Sequence, residues 1–174
     1  MAGDIKDKYV ASSSLTVTNL HSLASSQDWT AGWGSAAISN LTDLNLDNLL
    51  GGTFTTHASN RQAGQINIYL IAPLNDTPTW PASASGTIGT EGAISFTDTE
   101  ERDAACTWLA SIAVDNTASA IMPFPMRAIA AQFGGELPTH FVVFVAQNCT
   151  TTTTAGLAAS GSAIYRTGKL KQYT

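Results

Sequence analysis

The chain has 174 residues, a formal net charge of −5 and only 12% charged residues, against about a quarter in an ordinary globular domain. Its 44% hydrophobic content excludes intrinsic disorder, which needs low hydrophobicity and high charge. No apolar run approaches the roughly 18 residues of a membrane span, and a sequence pI near 4.9 leaves no basic field for a nucleic-acid backbone.

The missing charge is replaced by small residues: Ala, Ser and Thr fill 65 positions. The length suits one domain, long enough to bury a core without staples. Residues 1–10 are polar and are read as an N-terminal segment, an arm outside a single domain spanning 11–174. No apolar stretch follows Lys8, so no secretory signal is expected, and synthesis in a reducing cytoplasm is expected instead. Cys106 and Cys149 are too few for a disulfide framework and too isolated for a zinc site. They read as two buried thiols; a bridge between them requires neighbouring strands.

In chain order, most apolar stretches have a period of two, the mark of half-buried strands. Ser14 to Thr18 alternates cleanly. Asp43 to Asp47 alternates again and runs into Leu49 and Leu50; on a strand, Asp43, Asn45 and Asp47 share one polar face. Gly51-Gly52 then predicts a bulge or bend. Gln65 to Ile71 is the clearest strand. Asn75 to Pro81 is a proline-broken loop that continues through the Gly-, Ser- and Thr-rich stretch up to Gly92. Ala93 to Phe96 predicts a short strand. Asp98 and Glu101 have capping-box spacing, so a helical turn starts there. Trp108 to Val114 predicts a buried strand, and Met122 to Met126 is extended by its prolines. A helical turn over Arg127 to Phe133 is closed by Gly134-Gly135. Phe141 to Ala146 is the most β-prone run, Thr150 to Thr154 reads as an exposed loop, and a last strand starts at Ser162. Eight or so short strands without a long amphipathic helix predict an all-β protein. Its expected architecture is an antiparallel β-sandwich of jelly-roll or Greek-key type, with at most short helical turns.

Chemistry is sparse. His21, His57 and His140 each stand alone, without a base–orienter pattern or a Gly-x-Ser-x-Gly elbow. Asp98, Glu100, Glu101 and Asp103 crowd one segment, whereas a glycosidase needs two carboxylates facing each other across a cleft. They read as a solvated charged loop, and the patterned calcium loop is absent. No phosphate-binding glycine loop occurs. No catalytic residue, metal or cofactor is therefore expected. Trp29, Trp33 and Trp80 are read as loop indoles: stacking platforms if the domain binds carbohydrate, otherwise anchors to the core or to a subunit interface.

One pattern is more specific. Asp28-Trp29…Gly32-Trp33…Ser35-Ala36…Ile38, then Asp43-Leu44…Leu46-Asp47, then Asp76-Thr77-Pro78-Thr79-Trp80-Pro81 resembles virion structural proteins of tailed bacteriophages. Pro123-Phe124…Ile129-Ala130…Phe133-Gly134-Gly135…Leu137-Pro138 fits the same pattern, which spans about residues 28–148. The resemblance implies a capsid cement or decoration protein on the outside of the assembled head. Its partners would be the major capsid protein and further copies of itself, as dimer or trimer, with no nucleic acid and no membrane. It carries over no catalytic residue. Tyr9, Trp29, Trp33 and Trp80 are the expected interface residues. The alternatives are a tail- or fibre-associated adhesion protein and a carbohydrate-binding sandwich module.

Overall fold

The computed structural model describes residues 5–150 and 154–173. In chain order these form β1 (Ile5–Tyr9), β2 (Ser13–Ser14), β3 (Ala31–Gly34), β4 (Ile38–Ser39), β5 (Asp47–Thr55), β6 (Gly64–Ile71), β7 (Ala84–Ser85) and β8 (Gly92–Phe96). Helix α1 (Thr99–Ala105) follows, then β9 (Thr107–Val114), β10 (Ile121–Ala128), a 3-10 turn (Ala130–Phe133), β11 (His140–Gln147) and β12 (Ala163–Tyr173).

The strands make two antiparallel sheets. The first runs β1-β12-β5-β10, with β2 also on β12; the second runs β7-β8-β3-β11-β6-β9, with β4 on β11. The pairing is nested. β1 pairs with β12, β3 with β11, β5 with β10, and β6 with β9. First meets last and the middle two meet each other, which is the wrapping of a jelly roll. The all-β sandwich is therefore the observed fold. The hairpin β7–β8 is an insertion between the innermost pair, and it extends the second sheet beyond β3.

Two apolar clusters hold this arrangement. Between the sheets, Leu50, Phe54, Phe124 and Ile164 of the first meet Trp33, Ile66, Ile68, Leu70, Val143 and Val145 of the second. On the far side of the second sheet, Tyr69, Ile71, Ile94, Phe96, Val142 and Phe144 form another cluster under Trp29, Trp80 and Ala105. The central strand β11 is thus buried on both faces, whereas β9 at the edge exposes Trp108, Ser111 and Ala113. That explains why Phe141 to Ala146 is continuously apolar rather than alternating. Each such fully buried side chain contributes about 1.5–3 kcal/mol.

Local chemistry places the helical pieces. Asp98 caps α1 by accepting the Glu101 amide at 2.8 Å, while the Glu101 carboxylate accepts the Thr97 amide at 3.0 Å. Gly134 closes the 3-10 turn at φ 78°, a left-handed conformation that glycine adopts without a Cβ clash.

Several expectations are corrected. Residues 5–9 are not an arm outside the domain: they form the edge strand of the first sheet. The run Ser14 to Thr18 keeps only its first residue in a strand, because the amides of Leu20 and His21 turn back to the Val17 carbonyl. Asp43 and Asn45 precede β5, so they share no strand face with Asp47. Asn45 is buried, and Leu44 has φ 46°. The bulge expected at Gly51-Gly52 sits on the partner strand, where the β10 register shifts between Phe124 and Arg127. β9 is a sheet edge, and Trp108 is 53% exposed rather than buried. Of the threonine run, 151–153 lie outside the described residues, and Thr150 is buried.

Candidate functional site

The histidines and the carboxylates of the Asp98–Asp103 segment are engaged locally. His21 Nε2 lies 3.1 Å from the Ser162 carbonyl, His57 Nδ1 accepts the amides of Ser59 and Asn60, and His140 Nδ1 lies 3.4 Å from Thr139 Oγ1. Asp98 and Glu101 cap α1, Glu100 accepts the Thr99 hydroxyl, and Asp103 pairs with Arg102 at 2.7 Å. Among the described residues no group of three or more His, Cys, Asp or Glu side chains is placed to hold a metal ion. A groove of about 600 Å³ runs beside Trp33, but Ser, Ala, Gly, Leu, Ile and Asn dominate its lining, which contains no ionisable side chain. Both cysteines are free thiols. Burial pushes Cys106 up to about 12 and Cys149 up to about 11, which removes their nucleophilic form at neutral pH.

The indoles divide differently from the sequence expectation. Trp33 lies on β3, fully buried, with Nε1–H donating to Glu91 Oε1 at 2.7 Å. It anchors the core and presents nothing to a partner. Trp80 lies on Gly89, where a Cβ would stand 2.9 Å from its Nε1, so it pins the loop before β8. Trp29 is half-buried against the outer cluster, at φ 53°. Of the four expected interface residues only Tyr9 is well exposed, at 57%. Trp108 is the indole that sequence reasoning missed. The polar Ser111 and small Ala113 farther along β9 were the available signal that this strand has a wet side.

The surface that stands out is the outer face of the first sheet. Ladder partners share a face, as the pairing of Asp7 with Lys169 and Lys171 on neighbouring strands illustrates. By register, Ile5, Tyr9, Tyr165, Leu49, Gly51, Thr53, Pro123 and Ile121 lie on that face. The β10 bulge brings Met126 over Gly51, and Tyr165 flanks the same glycine. Tyr165, Met126, Ile121 and Ile5 are 42%, 47%, 68% and 68% exposed. The second sheet covers much of its outer face with α1 and the Trp80 loop; the first leaves its outer face open, apolar around Tyr165, Met126 and Ile121 and charged at the end that carries Asp7, Asp47, Lys169 and Lys171. Exposed apolar side chains gathered on one sheet face, as Tyr165, Met126 and Ile121 are here, mark a candidate interaction site. Its charges gather at one corner, where hydrogen bonds from Lys171 and then Lys169 hold Asp7 below its ordinary value.

No family model matches the chain, and no curated protein matches it.

Proposed function

We propose that this chain is a non-enzymatic virion structural protein of the tailed-phage kind. It binds the outside of an assembled capsid as an oligomeric cement or decoration protein and stabilises the shell. The observation that carries this reading is the outward apolar stretch of the first sheet around Tyr165, Met126 and Ile121, beside a second sheet whose outer face is covered over β8 and β11. A flat face of small and apolar side chains suits close apposition to another protein surface, where charged groups are disfavoured at the centre. Many copies on a symmetric shell multiply a modest single-site affinity. The resemblance of the segments around Trp29, Asp43, Trp80 and Phe124 to phage virion proteins supplies the identity of that surface.

The test is addition of purified protein to heads assembled without it. Saturable binding in hundreds of copies, a higher disruption temperature, and loss of both in Met126→Asp and Tyr165→Asp are expected. Absence of binding, or binding with unchanged disruption temperature, overturns the reading.

A further inference from the structure

All four lysines of the chain, Lys6, Lys8, Lys169 and Lys171, lie on β1 and β12. These two strands hold five of the eight Lys and Arg residues and one of the thirteen Asp and Glu residues, so they are basic in a chain of net charge −5. The lysines stand at opposite ends of the sequence, and the pairing of first strand with last gathers them on one ribbon. β5 ends at Asp47, opposite Lys169. Beyond that point β12 has β1 alone as its ladder neighbour among the described residues. Every residue of β1 is exposed.

β1 is also a free edge. The Val10 amide donates to the Gly168 carbonyl at 2.8 Å. Alternate residues of an antiparallel strand turn their N–H and C=O groups to the same neighbour. Lys6 and Lys8 therefore face β12 with their backbone groups, whereas those of Ile5, Asp7 and Tyr9 point away from the sheet. Such a row of unpaired groups is a template for a further strand. The side chains decide which strand. Asp7 is engaged by Lys169 and Lys171 on one face. Lys6 and Lys8 project from the other face and make no ion pair among the described residues. An antiparallel pair of two β1 strands centred on Asp7 would set Lys6 opposite Lys8 and Asp7 opposite Asp7, and like charges opposite each other destabilise a ladder. The other edge strands β7, β9 and β10 contain no Asp or Glu, so a second copy offers no strand of complementary charge. We infer that β1 takes up an acidic strand of a different protein, with carboxylates opposite Lys6 and Lys8 and apolar side chains beside Ile5 and Tyr9. The same lysines that oppose self-pairing then select the partner. The inference goes beyond the shell-binding reading and is tested without heads, so either can fail alone.

The probe is a capped peptide, Thr-Val-Glu-Thr-Glu-Val-Thr. In antiparallel register it sets Glu opposite Lys6 and Lys8, Thr opposite Asp7, and Val opposite Ile5 and Tyr9. The control peptide has Lys in place of each Glu. Both are titrated into the isotope-labelled full chain at low salt and followed by amide NMR. The Glu peptide gives saturable shifts centred on β1, with slowed hydrogen exchange at the Ile5, Asp7 and Tyr9 amides and none at Lys6 and Lys8. Added salt weakens it. In the double variant Lys6→Glu, Lys8→Glu its affinity falls roughly tenfold or more and the Lys peptide binds instead; that gain of binding shows that the variant is folded. No saturable binding, equal binding of the two peptides, new protection at Lys6 and Lys8 in place of their neighbours, or tighter binding of a double-stranded oligonucleotide to the same amides overturns the acidic-strand partner.

Discussion

The Trp33 indole donates to Glu91 Oε1 at 2.7 Å, while the backbone amide and carboxamide of Asn19 reach the same carboxylate at 2.7 and 2.5 Å. One side chain thereby ties the buried centre of β3 to the entry of β8 and to the turn after β2. Burial opposes its ionisation, but the hydrogen bonds from Trp33 and Asn19 outweigh burial and hold the carboxyl below its ordinary value. Because the folded value is the lower one, the unfolded chain takes up the proton first as pH falls. The contribution is fully present above the ordinary value of 4.5 and is lost as pH drops through the lowered folded value. Glu91→Gln should cost about 2 kcal/mol near neutrality, and its melting temperature should fall less steeply than that of the wild type in that acid window. Thermal melts followed by circular dichroism across the window check this; parallel pH profiles would count against it.

Gly51 is required by close approach. A Cβ there would stand 2.8–2.9 Å from Met126 Cγ, Cα and N, and two of these are backbone atoms of the bulge. Gly51→Ala should destabilise by about 1–3 kcal/mol and Gly51→Val by more. Gly92, also in a strand, has nothing within 4 Å of its Cβ position, so Gly92→Ala should be neutral or stabilising. Urea unfolding of the three variants reads the contrast directly.

The thiols should be inert in the folded protein. With Cys106 pushed up to about 12 and Cys149 up to about 11 by burial, thiolate is scarce at pH values near 8. Reaction with a chromogenic disulfide should be slow for native protein and fast in denaturant. Rapid native labelling of either cysteine would show that its strand end opens.

Arg102 is the buried residue of α1, 8% exposed. It donates to the Asp28 carbonyl at 2.7 Å and to Asp103 at 2.9 and 2.7 Å, and its guanidinium lies 5.3 Å from the centre of the Tyr69 ring. Arg102→Met should cost about 1.5–3 kcal/mol through the lost charged hydrogen bonds. Arg102→Lys should rescue little, since an ammonium cannot reproduce the planar fork. Because α1 covers the second sheet, faster amide exchange in Val142 and Phe144 should accompany the loss; unchanged exchange would separate the helix from the sheet's protection.

Legibility in the sequence followed the range of the interaction involved. Gln65 to Ile71 and Phe141 to Ala146 were readable as strands because apolar side chains there repeat along the backbone itself. The start of α1 was readable because Asp98 and Glu101 act across three residues. Asp43 to Asp47 misled for an equally local reason. The Asn40 carboxamide captures the Asn45 backbone, and such side-chain bonding competes with a ladder that the alternation alone suggests. The failure at Trp108 was of another kind: the large indole outweighed the weaker signal of Ser111 and Ala113, and that β9 lies at a sheet edge is decided by pairing alone.

The sequence by itself determined that this is an all-β chain of small residues with few charges, where its clearest strands run, that a helical turn starts at Asp98, and that Gly134 closes the other one. Only the tertiary structure decided that first strand pairs with last, that the centre of one sheet is covered on both faces while the outer face of the other lies open, and which aromatic residues reach the surface. Strand formation depends on residues one to four positions apart. Pairing order and exposure depend on contacts between residues such as Tyr9 and Lys169, or Gly51 and Tyr165, whose separation along the chain leaves no trace in local pattern.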